Sequence, residues 1–159
     1  MKWFTKALLL GIALAVPATS ALADGHHSKA IKARKAHMQL LSFNLGNLGA
    51  MAKGKVAYDA GKAKTFATNL DLAAQMKNGA MWPKGTDNVS MKGKTRALPA
   101  SWDTWPDIGK KFDDFSDAAG ILSSTAGDGL AALQAGVKGV GKTCGGCHKK
   151  FRASKKKKS

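Results

Sequence analysis

The chain has 159 residues, 26 of them basic and 10 acidic, for a formal charge of +16 with only two cysteines. That length suits one domain able to bury a core of its own, without a disulfide framework to hold it. The positive excess predicts acidic partners. It does not point to nucleic acid, because the chain opens on an export signal and its charge is mostly scattered lysine, with Arg34, Arg96 and Arg152 the only arginines.

Lys2 and Lys6 precede an apolar run from Ala7 to Val16, followed by Pro17 and the small-residue site Ala21-Leu22-Ala23. This is the layout of a cleaved secretory leader over residues 1–23. The apolar run is far shorter than the roughly 20 residues a spanning helix needs, and no later stretch is longer, so a soluble, periplasmic mature protein is expected. Three parts follow: the leader, one domain over 24–153, and a basic tail over 154–159. Without Lys2 and Lys6 the count is 24 basic against 10 acidic residues, or +14.

Four segments then carry apolar residues in alternating steps of three and four, the narrow stripe of a bundle seam. The first holds Ile31, Arg34, Met38, Leu41, Leu45, Leu48 and Ala52, with Ser28 placed to cap it. The second starts near Asp59 and carries Ala63, Phe66, Leu70 and Ala73. Between it and the third, residues 79–100 include Trp82, Pro83, Gly85, Gly93 and Pro99, too many breakers for a helix. A connection of that length usually covers something. The third runs Trp105, Ile108, Phe112, Phe115, Ala119 and Leu122, with Pro106 near its start, where the missing N–H costs little. The fourth follows Asp128, a candidate cap, and reads Leu130, Leu133, Val137, Val140, Cys144, Cys147 and Phe151. No period-two strand pattern interrupts them, so the predicted fold is all-α, an antiparallel four-helix bundle.

Near the end of the fourth segment stands Cys144-Gly145-Gly146-Cys147-His148. C-x-x-C-H is the attachment pattern of covalent haem c: two thiols for the two vinyl groups on one porphyrin edge, and an imidazole to reach the iron from the same element. At 100° per residue, Cys147 lies about −60° and His148 about +40° from Cys144, so one helix face carries all three. Gly145 and Gly146 keep side chains away from the macrocycle. A thioredoxin-like pair belongs after a strand in an α/β fold, and zinc would require two further ligands that no second cysteine pair supplies. His148 is therefore the expected proximal iron ligand. Arg34 is the anomaly of the first stripe, a charge at an inward position; such a residue either meets an anion, for which a haem propionate is the candidate, or snorkels from the stripe's edge.

With that motif at the end of a four-helix chain, the sequence resembles the class II cytochromes c, meaning cytochrome c prime and its low-spin, methionine-ligated relatives. The likeness includes Arg34-Lys35-Ala36-His37-Met38, Gly49 to Gly54, Tyr58-Asp59-Ala60, Trp82-Pro83-x-Gly85-Thr86, Leu98-Pro99-x-x-Trp102 and His148-x-x-Phe151-Arg152. The resemblance implies that Arg34 lies near the propionates, that Met38 covers the distal face of the iron, that the loop containing Thr86 borders the haem edge, and that Arg152 lies near the proximal side. It also implies a homodimer, which the small residues Gly46, Gly49, Ala50 and Gly54 would permit.

Function then turns on Met38. Ligation by its thioether gives a six-coordinate His/Met haem suited to electron transfer. If Met38 only packs above the iron, the site is open to a diatomic gas such as nitric oxide or carbon monoxide; His37, about 100° around the helix, is the third candidate ligand. No catalytic constellation competes, since glutamate is absent and no serine or threonine pairs with a histidine. Cleavage after Ala23 would also leave Asp24-Gly25-His26 at the amino terminus, a pattern able to hold copper(II) or nickel(II) in a square plane.

Overall fold

The computed structural model describes residues 19–155. It contains α1 (Thr19–Ala52), α2 (Ala60–Ala74), a 3₁₀ turn at Gly79–Met81, a single-turn α3 (Ala100–Asp103), α4 (Trp105–Thr125) and α5 (Leu130–Phe151). The predicted leader falls outside the described residues except for its last five, which open α1. Helix α1 packs on α2 and α5, and α4 packs on the same two, so the four long helices form a closed square. The fold is an all-α four-helix bundle.

The stripes face inward as their periodicity requires. Ile31, Leu41 and Leu48 of α1, Ala63, Leu70 and Ala73 of α2, Ile108, Phe115, Ala119 and Leu122 of α4, and Leu133, Val140 and Phe151 of α5 are all buried. Other members, including Met38, Leu45, Phe66, Phe112 and Val137, are half-buried, and the two exposed ones, Trp105 at 43% and Leu130 at 41%, are the first residues of their helices. Two capping expectations also fail. Ser28 lies inside α1, which begins nine residues earlier at Thr19. At the start of α5 the cap position is Gly129, held at φ +118°, and Asp128 makes no side-chain cap bond. A left-handed backbone there suits glycine and leaves aspartate outside the first turn.

Asp59 does cap α2, its Oδ1 accepting from the Lys62 backbone N–H at 2.8 Å. Beside it the Tyr58 hydroxyl donates to the Ala126 carbonyl at 2.9 Å and accepts from the Gly129 N–H at 3.0 Å. One phenol thus ties the α1–α2 link to the α4–α5 turn at the same end of the bundle. Gly136 permits the close approach of α5 to α4: a Cβ there would stand 2.6 Å from Leu122 Cδ1 and 3.3 Å from Leu122 Cα.

The long connection is pinned to the far end of α5. Leu98 donates to the Phe151 carbonyl at 3.0 Å and Ala153 to the Arg96 carbonyl at 2.9 Å, flanking an isolated bridge between Ala97 and Arg152. Trp102 Nε1 donates to the Trp82 carbonyl at 2.8 Å, closing the connection on itself. On the outer side of α1 and α2, Leu40, Phe43, Leu72 and Met76 are exposed and line an open groove of about 360 Å³.

Candidate functional site

Where the four seams meet the long connection, the bundle holds a cavity of about 590 Å³. Helix α5 contributes Cys144, Cys147, His148 and Phe151 to its wall, α1 contributes Arg34, Met38, Leu41 and Leu45, and α4 contributes Ile108, Phe112 and Phe115. Segment 93–97 closes another side, so the connection does cover something. The volume lies within the roughly 300–1,000 Å³ typical of ligand sites. The seam brings these groups together: Cys144 and Cys147 continue the inward stripe of α5, and Met38 stands one turn beyond Arg34 on the inward stripe of α1.

Burial raises the pKa of both cysteine thiols, and among the described residues neither forms a disulfide. Burial, reinforced by Arg152 and Arg96, lowers the pKa of His148, which favours the neutral imidazole with a free nitrogen lone pair. This is the donor state a metal requires. Among the protein's own atoms, a Cβ on Gly145 or Gly146 would meet nothing within 4 Å, so packing within the chain gives no reason for the two glycines.

Arg34 does not snorkel. It is 5% exposed, and its guanidinium donates to the Met81 carbonyl at 3.3 Å, to Thr86 Oγ1 at 3.2 Å, to the Thr86 carbonyl at 2.8 Å and to Thr95 Oγ1 at 3.1 Å. The same group lies 4.4 Å from the ring centre of Trp82 and 5.7 Å from that of Trp102. Every partner is neutral. None of the ion pairs among the described residues involves Arg34, and burial lowers its pKa to about 10, which leaves it charged at neutral pH. The cavity therefore has a fixed cation in its wall with no counter-ion among the described residues.

Thr86 is fully buried and does not line the cavity; it reaches the site only through Arg34, and its hydroxyl donates to the Pro83 carbonyl at 2.7 Å. Arg152 lines the cavity beside His148, while its backbone ends α5. His37 turns away. It is buried against α2, and its Nε2 lies 2.8 Å from the Ala73 carbonyl, an acceptor that can only take a proton from the ring. It is absent from the cavity wall.

Sequence reasoning missed the socket around Arg34. Trp82, Thr95 and Trp102 are far from it in the chain, and no local pattern pairs them with it; the tryptophans among the breakers of the connection were the available signal. It also missed Lys35, Lys94, Arg96 and Lys111, which with Arg152 make the cavity wall strongly basic.

Residues 29–152 match the family model described as Cytochrome C'. Over 122 residues the chain is 37% identical to a cytochrome c-554 of Cereibacter sphaeroides, covering 77% of this chain and 91% of that protein. Among solved structures, a cytochrome c' from Rhodobacter Spheriodes superposes with a TM-score of 0.79 at 34% identity, over 81% of this chain and 98% of that one. A carbon-monoxide-bound variant of a cytochrome c prime from Alcaligenes xylosoxidans superposes with a TM-score of 0.70 at 26% identity, over 80% and 97%.

The hydrogen bonds around Arg34 supply a test. Thr86→Val keeps the shape of the side chain but removes the hydroxyl that accepts from the guanidinium and donates to Pro83. Leaving those buried groups short of a partner is expected to cost about 1.5–3 kcal/mol, read as a lower urea midpoint with unchanged slope. A midpoint equal to the wild type would show that the hydroxyl does not hold the cation.

Proposed function

We propose that this chain, which belongs to the cytochrome c' family, is a periplasmic electron carrier in which His148 and Met38 both ligate the iron of its covalently bound haem c. The observation that carries the reading is the meeting, in one cavity, of Met38 from α1 with Cys144, Cys147 and His148 from α5. The haem supplies a one-electron couple. The residues present fit such a group: two thiols and a neutral imidazole on one helix face, apolar walls from α1 and α4, and an unpaired buried cation suited to a carboxylate.

Cys144 and Cys147 hold the group covalently and His148 takes its proximal side. Met38, one turn beyond Arg34 on the inward face, offers a thioether to the distal side. Arg34 binds a propionate, Thr86 holds Arg34 in place, and Arg152 adds positive charge next to His148. His37 is no distal ligand in this reading, because its ring is bonded into α2. Residues 1–23 serve as a leader removed on export and 154–159 as a basic tail; no helix among the described residues is long and apolar enough to cross a membrane.

A second reading has its own observation. Met38 packs against the hydrophobic core, so in this reading its thioether stays with those neighbours and leaves the distal side open to carbon monoxide or nitric oxide; carbon monoxide is bound in the Alcaligenes xylosoxidans variant. No catalytic residue is assigned in either reading.

Substitution of Met38 separates the two. In the carrier, oxidised wild type is low-spin and its reduced form takes up carbon monoxide poorly, whereas Met38→Ala opens the site and lowers the reduction potential. A wild type that is already high-spin and binds carbon monoxide readily overturns methionine ligation and leaves the gas-binding reading in its place.

The basic wall formed by Lys35, Lys94, Arg96, Lys111 and Arg152, with Lys149 and Lys150 nearby in sequence, fits an acidic redox partner steered by long-range attraction. Because the Debye length shrinks from about 30 Å at 0.01 M salt to about 10 Å at 0.1 M, the second-order electron-transfer rate with that partner is expected to fall steeply across this range. A flat profile would rule out steering.

The exposed apolar groove of α1 and α2 fits a second copy of the chain, with the uncrowded Gly46 and Gly49 allowing close approach. Phe43, 63% exposed at the groove, is the residue to test. Sedimentation equilibrium should give a dimer for the wild type and a monomer for Phe43→Asp; a wild type that stays monomeric at high concentration would remove the proposal.

A further inference from the structure

The proposed function leaves the amino-terminal end of α1 without a role. Asp24, Gly25 and His26 lie in its helical first part, directly after the Ala21-Leu22-Ala23 site. His26 is exposed, and its side chain takes part in none of the hydrogen bonds among the described residues. His27 is different: it is half-buried, and a Cβ on Gly85 would come within 3.3 Å of its Cε1, so the two chain segments are packed together there.

In a helix the N–H of residue i bonds to the carbonyl of residue i−4. The partners of Gly25 and His26 are therefore the carbonyls of Ala21 and Leu22. Cleavage after Ala23 removes both partners at once and turns the two amides into orphan groups of a helix start. The same cut creates a free α-amine on Asp24. Four nitrogens then lie in consecutive five-, five- and six-membered chelate rings: the amine, the Gly25 amide, the His26 amide and His26 Nδ1. Among the described residues His26 takes part in no side-chain hydrogen bond; its ring lies edge-on to that of His27, centroids 6.4 Å apart, and that local contact is the one chelation gives up.

We propose that the mature chain carries a second metal site, built from the Asp24 α-amine, the Gly25 and His26 amide nitrogens and the His26 imidazole, that takes copper(II) or nickel(II) in a square plane. Four nitrogen donors in one plane match the tetragonal preference of these two ions over zinc. Binding displaces one proton from each amide, and one more from the amine when it is protonated; the two amidate charges balance the dication. Metal affinity therefore increases with pH. Because His27 packs on the Gly85 segment, the metal is tethered one residue from a contact with the loop whose Thr86 accepts from Arg34.

This proposal rests on removal of the leader after Ala23 and is independent of how the haem iron is ligated. The test uses the exported holoprotein. Its mass should correspond to a chain beginning at Asp24 with one covalent haem, and titration with copper(II) alone should show one tight equivalent with the electron paramagnetic resonance pattern of four nitrogen donors. His26→Ala, or one extra residue placed before Asp24, should abolish that equivalent, while His27→Ala should keep it. A mature chain beginning elsewhere overturns the proposal, as does a tight copper site that survives His26→Ala.

Discussion

A buried guanidinium with no ion-pair partner among the described residues organises this structure. Removing a cation from water is expensive unless hydrogen bonds or an opposite charge replace the lost hydration. Arg34 has the hydrogen bonds and lacks the charge. Its four bonds reach Met81, Thr86 and Thr95, three separate points of the long connection, and the face of Trp82 covers it. The connection has local bonds of its own, among them Asn88 N–H to the Ala97 carbonyl and the turn that the Asp87 carboxylate closes on Val89 and Ser90, and Arg34 ties it to α1. The Ala97–Arg152 bridge ties it to the end of α5, and the Trp102–Trp82 bond closes it on itself.

The same arrangement gives the cavity its electrical character. Arg34, Arg96, Arg152, Lys35, Lys94 and Lys111 all line it, and no acidic residue does. Charges of one sign around a low-dielectric space raise the potential inside it and favour whichever state of a bound group is the less positive. For a redox centre that means the reduced state, and for a carboxylate it means the ionised one. The lowered pKa of His148 has part of its cause in the same field. The wall that stabilises bound negative charge also keeps the imidazole neutral.

Much of this was legible in the sequence because it depends on short-range periodicity. Steps of three and four placed Arg34, Met38, Cys144 and Cys147 on inward faces, and the structure puts all four on the cavity wall. What could not be read depends on contacts across the chain or on competition at helix ends. Ser28 resembled a cap only as long as the residues before it were taken as non-helical. Asp128 lost the cap to a glycine whose backbone angle no side chain encodes. His37 lies off the predicted seam yet is buried, because a second neighbour, α2, meets α1 on that side. Trp82 and Trp102 looked like loop tryptophans until the fold brought them to Arg34.

Arg34 and His37 together bear on the question that the function turns on. They are three residues apart on α1, about 60° around the helix, and each is bonded to a different neighbour: Arg34 to the connection on one side, His37 to the Ala73 carbonyl of α2 on the other. A helix fixed at two azimuths within one turn cannot rotate without breaking one set of buried bonds. Met38 directly follows this clamp, so its direction into the cavity is set by polar contacts to either side rather than by its own flexible packing. A thioether on three rotatable bonds would otherwise be poorly fixed. Helix α5 thus carries the thiols and the imidazole of the cavity, and α1, through two polar anchors, fixes the thioether that shares the wall with them.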